Sequence, residues 1–490
     1  MMITDIERIS VCTDSYGHTH RLNGEISRGG QGVVFRTNVP NVVVKFELAD
    51  DELVPPTEND KYMTLRFLPI PYGLHITMPQ ATLKDYSGYV MTMMSDMISF
   101  KSAFDEPVAP EERVTTPFTK KHDEKCNGFF SDYISSGGER RRLEAFMKSS
   151  ALLAQLHSVG LVYCDYSQNN VFISNSKEFC HVWLIDADNL DYESNTLKSI
   201  CYTPGLAAPE IVLFDQEFAQ NVPEEERNGS GNSFGSDVYT FAVCLFKQLA
   251  GLHPFKGRKY YAMADEDDSY DNADANLSGG TLAYVADTED DSNKGEFLRL
   301  DFVLTSELRD LFQQTFCQEG RDNYLSRPSM SEWALELARA NDISLHCDTC
   351  GMDYINPDNG ACPFCNASLP DIFTAVSHYA GQTKDAPALW EYCRELKDNT
   401  IELPLRLAHG YDADELDRNL LTLHSENGTF ILRLDSMNAN QKVTFSEDGN
   451  TFTSSNMVKT QKNTFYLMCE DETRRLNVLV TCRVKENGRH

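Results

Sequence analysis

Long apolar runs are missing from this chain. Its 490 residues contain no stretch of about 18 apolar residues, the length an ordinary membrane-spanning helix needs. The opening MMITDIERIS has neither the basic start nor the apolar centre of a secretory leader. The reading is therefore an unsecreted, cytoplasmic protein with no membrane partner. Basic residues are scarce as well. Lys and Arg number 44 against 74 Asp and Glu, for a formal charge of −30. A field of that sign repels phosphate backbones, which argues against general binding of DNA or RNA. No long internal repeat is present. Fourteen cysteines would make a disulfide framework in a small secreted protein. Here all but Cys347, Cys350, Cys362 and Cys365 stand singly, which fits a reducing compartment with one metal site. The length suggests about three domains at roughly 150 residues each, and a hydrophobic content of 41% is ample for a core.

What is present centres on residues 161–190, LVYCDYSQNNVFISNSKEFCHVWLIDADNL. Two apolar runs, Val171-Phe172-Ile173 and Val182-Trp183-Leu184-Ile185, predict short strands around a polar turn. Asp165 precedes the first run, Asn170 comes five positions after Asp165, and Asp186 follows the second run. Asp165 would take a proton from an attacking hydroxyl, while Asn170 and Asp186 offer oxygens to a hard divalent cation.

Upstream, residues 22–48 predict a strand, a glycine turn, a second strand, a loop and a third strand. Gly29, Gly30 and Gly32 allow a phosphate to approach the backbone closely, although a glycine-rich hairpin is by itself only a tight turn. Val42-Val43-Val44-Lys45 is an apolar strand ending in one lysine. Glu58, ahead of the helix-like NDKYMTLRFL, is the favoured carboxylate to hold that lysine. Glu52 comes just before Pro55-Pro56, which would break a helix. Gly88-Tyr89-Val90-Met91-Thr92-Met93-Met94 predicts another apolar strand. Leu143, Phe146, Met147, Leu153, Ala154 and His157 repeat near 3.6 residues and predict a helix ending at Gly160.

In this order the segments resemble the eukaryotic-like (Hanks-type) serine/threonine protein kinases over roughly residues 20–340. The family's H-R-D-L-K-x-x-N and D-F-G stand here as Tyr163 to Asn170 and Asp186-Ala187-Asp188. Its glycine loop falls on Ser27, Gly29 and Gly32, its V-A-I-K on Val42 to Lys45, and its gatekeeper on Met91. Thr203-Pro204-Gly205-Leu206-Ala207-Ala208-Pro209-Glu210 is similar to the segment closing the activation loop, with Thr203 as the threonine that bonds the catalytic aspartate. Asp237 would cap the buried central helix and brace the catalytic loop, and Arg327 would pair with Glu210. The resemblance implies an α+β, two-lobed domain over residues 1–343. Its small lobe would run from about 20 to 94 and its large lobe from about 95 to 343, with a solvated acidic insertion at 264–296. It further implies ATP in the cleft, contacted by Ser27, Gly29, Gly30, Gly32, Lys45, Glu58, Met91 and Met93. Asn170 and Asp186 would hold Mg²⁺, and Asp165 would act as base for transfer of the ATP γ-phosphate to Ser or Thr of a protein substrate.

Three departures bear on activity. Tyr163 replaces the loop histidine, Ala187-Asp188 replaces Phe-Gly, and Ser167 stands where the family has a lysine reaching the γ-phosphate. A nucleotide-binding scaffold without phosphotransfer, or transfer of AMP or to a small molecule, are the alternatives on the same fold. Cys164 replaces the usual arginine, so a phosphate on Ser194, Thr196 or Ser199 would find no guanidinium there. Those three side chains are read as an ordinary solvated loop.

Beyond the kinase-like part, Cys347/Cys350 and Cys362/Cys365 form two Cys-x-x-Cys knuckles, a pattern that clasps tetrahedral zinc. It resembles a zinc ribbon, taken as residues 344–370. After it, a helix-like segment (Leu389-Trp390-Glu391-Tyr392-Cys393) leads into alternating runs separated by turn signals. That pattern predicts a mainly β domain at 371–490. The ribbon and this β domain are read as surfaces for protein partners.

Overall fold

The computed structural model describes residues 9–29, 32–56, 59–117, 119–121, 124–266, 277, 280–296, 300–355, 360–382, 386–396, 400–426, 428–434 and 441–485. Gly30, Glu58, the acidic stretch 267–276 and residues 278–279 lie outside the described residues.

The chain is a mixed α+β structure. It opens with β1 (Val11–Thr13), β2 (Thr19–Gly29), β3 (Gly32–Thr37), β4 (Val42–Ala49), β5 (Glu52–Leu53), helix α1 (Asn59–Leu65), β6 (Ala81–Thr82) and β7 (Gly88–Thr92). The sheet order is β1-β2-β3-β4-β7-β6, with β5 paired to β4. β1 starts the sheet ahead of the boundary near residue 20. Val33, Val44, Phe46, Leu83 and Val90 fill one face of it, where β-branched and aromatic side chains suit a half-buried pleat. Glycine is required at two places. A Cβ on Gly32 would lie 2.8 Å from Phe46 O, and one on Gly88 (φ +145) 2.2 Å from Lys45 O.

Strand β8 (Met97–Ser99) then leads into a largely helical body built around α3 (Gly138–Ser158) and α6 (Phe234–Ala250), with the shorter α4 (Glu193–Thr196) and α5 (Pro209–Ala219) between them in the chain. Residues 105–137, which carry no clear sequence signal, hold α2 (Glu124–Ser135). Phe146, Leu153, Phe241, Leu245 and Trp333 are wholly buried at the centre. Ser233 caps α6 with a reciprocal bond to Ser236, and Gly251 closes it at positive φ. Asp237 is therefore a first-turn residue rather than the cap. The paired runs are β10 (Val171–Ser174) and β11 (Val182–Leu184), in register Val171↔Leu184. A short pair, β9 (Leu161–Val162) with β12 (Asp191–Tyr192), flanks them. The region 264–296 is not solvated throughout. Leu282, Ala283, Tyr284 and Val285 are buried, and Asn293 donates to Phe255 O and Ala283 O. Its acidic composition concealed an apolar tetrad that the helical core accepts.

On either side of the first cysteine knuckle, β13 (Ser344–His346) pairs with β14 (Asp353–Ile355). The remainder is strand-rich, from β15 (Ile372–Tyr379) and β16 (Trp390–Glu395) to β17 (Thr400–Pro404), β18 (Asn419–Glu426) and β19 (Thr429–Arg433). It continues through β20 (Gln441–Ser446), β21 (Met457–Thr460) and β22 (Thr464–Asp471) to β23 (Leu476–Lys485). These make a sheet β16-β15-β23-β22-β20 and a second sheet β17-β18-β19-β21. Residues 390–393, expected in a helix-like segment, are thus strand. Trp390 and Tyr392 are buried while Glu391 is exposed, the period of two that a paired strand imposes. β16 packs on the helix Met330–Ile343. At that contact the buried Asp342 accepts from Trp390 Nε1 (2.7 Å) and from Arg406 Nε and Nη2 (2.5 Å each). Among the described residues, no helix is long and apolar enough to cross a membrane.

Candidate active site

Asp165 lies on the loop between β9 and β10, and its placement starts one residue earlier. Cys164 has φ +71, a left-handed conformation that costs a non-glycine residue on the order of 1 kcal/mol or more. Surrounding bonds hold it there. Asp237 Oδ2 accepts the Tyr163 amide at 2.8 Å and Oδ1 the Cys164 amide at 2.9 Å. His157 Nε2, on α3, is 3.0 Å from the same Oδ2. Asn232 Nδ2 donates to Cys164 O (3.2 Å) and Cys201 O (2.9 Å), tying the loop to the segment before Thr203.

The Asp165 carboxylate accepts from Thr203 Oγ1 (3.1 Å) at Oδ1 and from Asn170 Nδ2 (2.9 Å) at Oδ2. Burial pushes its pKa above the ordinary carboxylate value. The Thr203 bond opposes that rise, Asp186 adds to it, and the Asn170 bond and Lys45 again oppose. Tyr163, at the family's histidine position, is fully buried and its hydroxyl donates to Ile185 O. Ile185 N in turn donates to Asn170 O (2.9 Å). These two bonds set the Asp165 loop against the Asp186 loop.

From the sheet side, Lys45 on β4 reaches both Asp186 and Asp188. It bonds Asp186 Oδ1, and its ammonium lies 2.6 Å from Asp188 Oδ2. Burial opposes the charge on Lys45, but Asp188 and Asp186 outweigh it and hold the pKa above the ordinary lysine value. The Tyr89 hydroxyl donates to Asp188 Oδ1 at 2.5 Å. Glu58, the expected partner of Lys45, lies outside the described residues. α1 instead reaches Glu47, which accepts from Lys61 Nζ (2.6 Å) and Tyr62 OH (2.9 Å). Asp188 and Tyr89 are the residues that sequence reasoning passed over. The available signal was a second carboxylate two positions after Asp186, at a place where the family has glycine.

The other expected nucleotide contacts are spread along the sheet. Ser27 is paired with Val34 and Gly29 with Gly32 at the β2–β3 turn. Met91 stands opposite Val43 on β7. The Met93 amide donates to Asn41 O (2.8 Å) and its sulfur accepts from Arg36 (3.3 Å). Ser167 is buried. Lys247 points to the same loop from behind, donating to Gln168 Oε1 (3.3 Å). Further out, Arg327 makes two bonds to Glu210 (2.7 and 2.8 Å), the bidentate geometry that suits a buried guanidinium and carboxylate. Thr196, expected in a solvated loop, is buried and donates to Asn232 O (2.8 Å).

The four clustered cysteines converge. Their sulfurs all lie within 4.8 Å of one another, with Cys347–Cys365 at 3.6 Å and Cys350–Cys362 at 3.7 Å. A tetrahedron with Zn–S bonds of about 2.3 Å has S–S edges of about 3.8 Å, so the donor set fits zinc. The cluster is packed onto the helical body. Thr116 Oγ1 donates to Cys350 O (3.2 Å), and Asp353 Oδ2 accepts the Arg140 amide at the start of α3 (3.1 Å).

No protein-family model matches the chain. Several curated proteins share local similarity with it. Ribosomal protein S6 kinase 2 beta of Xenopus laevis is 30% identical over 110 residues, covering 22% of this chain and 14% of that protein. Serine/threonine-protein kinase chk-2 of Caenorhabditis elegans is 30% identical over 134 residues, covering 26% and 25%. Protein kinase C-like 2 of Schizosaccharomyces pombe is 26% identical over 157 residues, covering 29% and 13%. The chain thus spans a quarter or less of the length of these relatives. A part of this chain, carrying local and low sequence identity, is similar to serine/threonine protein kinases.

Proposed function

We propose that the protein is an ATP-dependent phosphotransferase acting on Ser or Thr of protein substrates. The observation that carries this reading is the convergence of charged side chains from the sheet and two loops. Asp165, oriented by Thr203 and Asn170, lies on one loop, and Asp186, met by Lys45 from the sheet, lies on the next. In this reading β1–β7 with α1 form a small lobe over a helical large lobe, and ATP lies between them. Lys45 contacts the α- and β-phosphates. Asp165 accepts the proton of the substrate hydroxyl as its oxygen bonds the γ-phosphorus and ADP leaves. Asn170 and Asp186 are the oxygen donors that would hold Mg²⁺, whose charge offsets that of the phosphates. Because Asn170 turns its NH₂ to Asp165, its carbonyl oxygen is the donor for a cation. Cys347, Cys350, Cys362 and Cys365 hold a structural Zn²⁺, and the ribbon and β region serve as protein-docking surfaces.

A second reading rests on Ser167. With a buried hydroxyl in place of the family lysine, the loop offers no cation to the γ-phosphate. Losing such a charge would cost on the order of 2–4 kcal/mol of transition-state stabilisation. A nucleotide-binding scaffold would tolerate that loss. The test is purified protein with γ-labelled ATP and Mg²⁺, alone and with a generic protein acceptor. Label should reach protein, and Asp165→Ala should abolish it. ATP binding with no transfer to any acceptor would select the scaffold, and label arriving only from α-labelled ATP would select AMP transfer.

A further inference from the structure

Asp186 and Asp188 both meet the Lys45 ammonium, yet they are not equivalent. The Asp186 side chain is 34% exposed, whereas that of Asp188 is 12% exposed. Both oxygens of Asp188 are committed, Oδ2 to Lys45 at 2.6 Å and Oδ1 to the Tyr89 hydroxyl at 2.5 Å. Tyr89 is itself fixed. It is directly opposite Lys45 in the β4–β7 register, is buried, and its ring centroid is 4.9 Å from that of Tyr62. On its other side, Asp188 belongs to the single turn Ala187–Asn189, pinned by buried Ala187. A carboxylate enclosed in this way keeps one position, while the more open Asp186 is able to turn toward an incoming cation.

We propose that Asp188 is the positioning residue for Lys45, holding its ammonium at the cleft through a pair built from the sheet and the Asp186 loop. This rests on the phosphotransfer reading above. As Asp186 turns to the metal–nucleotide complex, Asp188 keeps Lys45 from following it and leaves the ammonium facing the phosphates. Among the described residues the pair makes no hydrogen bond to α1, which bonds Glu47 and meets the pair through the Tyr62 ring on Tyr89. Lys45 is thereby met in the resting protein by groups of the sheet and of the Asp186 loop.

The experiment uses the full chain and four variants: Asp188→Asn, Tyr89→Phe, Lys45→Met, and Lys45→Met with Asp188→Asn. Two quantities are measured. The first is the rate at which Lys45 is acetylated by an amine-reactive ester without nucleotide, read by peptide mass spectrometry. The second is the dissociation constant for Mg·ATP. Asp188→Asn should label Lys45 several-fold faster and bind Mg·ATP about tenfold more weakly, with an unfolding temperature near that of wild type. Tyr89→Phe, which removes only one hydroxyl, should move both quantities the same way by less, and decides the matter if Asp188→Asn does not fold. Adding Asp188→Asn to Lys45→Met should cause no further loss of ATP affinity, because a residue acting through Lys45 has nothing left to position. An unchanged labelling rate in Asp188→Asn or, where that variant does not fold, in Tyr89→Phe overturns the inference whatever ATP does. Equal loss of affinity with and without Lys45 overturns it too. Faster labelling in a chain whose wild type binds no Mg·ATP would keep the Lys45–Asp188 pair and overturn the phosphotransfer reading instead.

Discussion

Replacing Asp342 by alanine probes how the C-terminal sheets are joined to the helical body. Asp342 ends the helix Met330–Ile343 with no side-chain exposure. It receives the Trp390 indole N–H and two guanidinium N–H groups of Arg406, and Arg394 lies 3.8 Å away. Truncation leaves Arg406, itself 10% exposed, as a buried cation without its anion, a change worth about 3–5 kcal/mol. The orphaned indole N–H adds about 1 kcal/mol or more on its own. The two losses share one site and do not add fully, so about 4 kcal/mol is expected. That corresponds to roughly a thousandfold rise in local opening. Amide hydrogen exchange followed by peptide mass spectrometry should show it in β16 and in the last turns of Met330–Ile343. The core of α6 should be affected much less. Asp342→Asn keeps an acceptor for Trp390 and should lose less protection than alanine. If alanine speeds exchange in β16 by less than about fivefold, the Asp342 hub does not hold the two parts together.

Three further outcomes are expected. The pKa of Asp165 is raised, chiefly by burial, so the acid limb of kcat/KM should lie above the ordinary value of 3.8, with activity falling as pH drops through the raised pKa. Thr203→Val removes a bond that stabilises the ionised form and should move that limb to higher pH; a limb that stays put in a pH–rate profile would refute the role of Thr203. The sign for stability is opposite, since folding disfavours the Asp165 anion and its contribution improves as pH falls through the raised pKa. Elemental analysis should find one zinc per chain, and Cys362→Ser should release it and deprotect residues 344–355 while ATP binding persists; freshly purified protein without zinc would remove the metal assignment. Finally, with Cys164 supplying no cation and Thr196 buried, Ser194→Ala with Ser199→Ala should keep turnover within tenfold (about 1.4 kcal/mol) of phosphatase-treated wild type, and a larger loss would make the loop a switch.

Some of this molecule was legible because the signals are local. The apolar runs at 171–173 and 182–185 are too short for helices and are bounded by polar turns, and they pair as strands. Two Cys-x-x-Cys knuckles bring four sulfurs together through chemistry carried by adjacent residues. The heptad-like apolar spacing from Leu143 to His157 fits α3, since one buried stripe suffices to define a helix. What the chain order could not supply is partner choice across long separations. Trp390-Glu391-Tyr392 reads as well for helix as for strand, and only pairing with Ile372–Tyr379 decides it. The apolar residues 282–285 sit in an acidic neighbourhood that reads as solvated, until the helical core takes them in. Asp342 looks like any helix-end carboxylate, and its partners come from 48 and 64 positions away. Asp188 reads as a departure from a glycine, yet a lysine 143 positions earlier meets it. Composition and short-range period determined which segments form elements and where a metal would be clasped. Tertiary structure alone decided which buried charges meet, because the cost of an unpaired charge is settled only when the fold selects its neighbour.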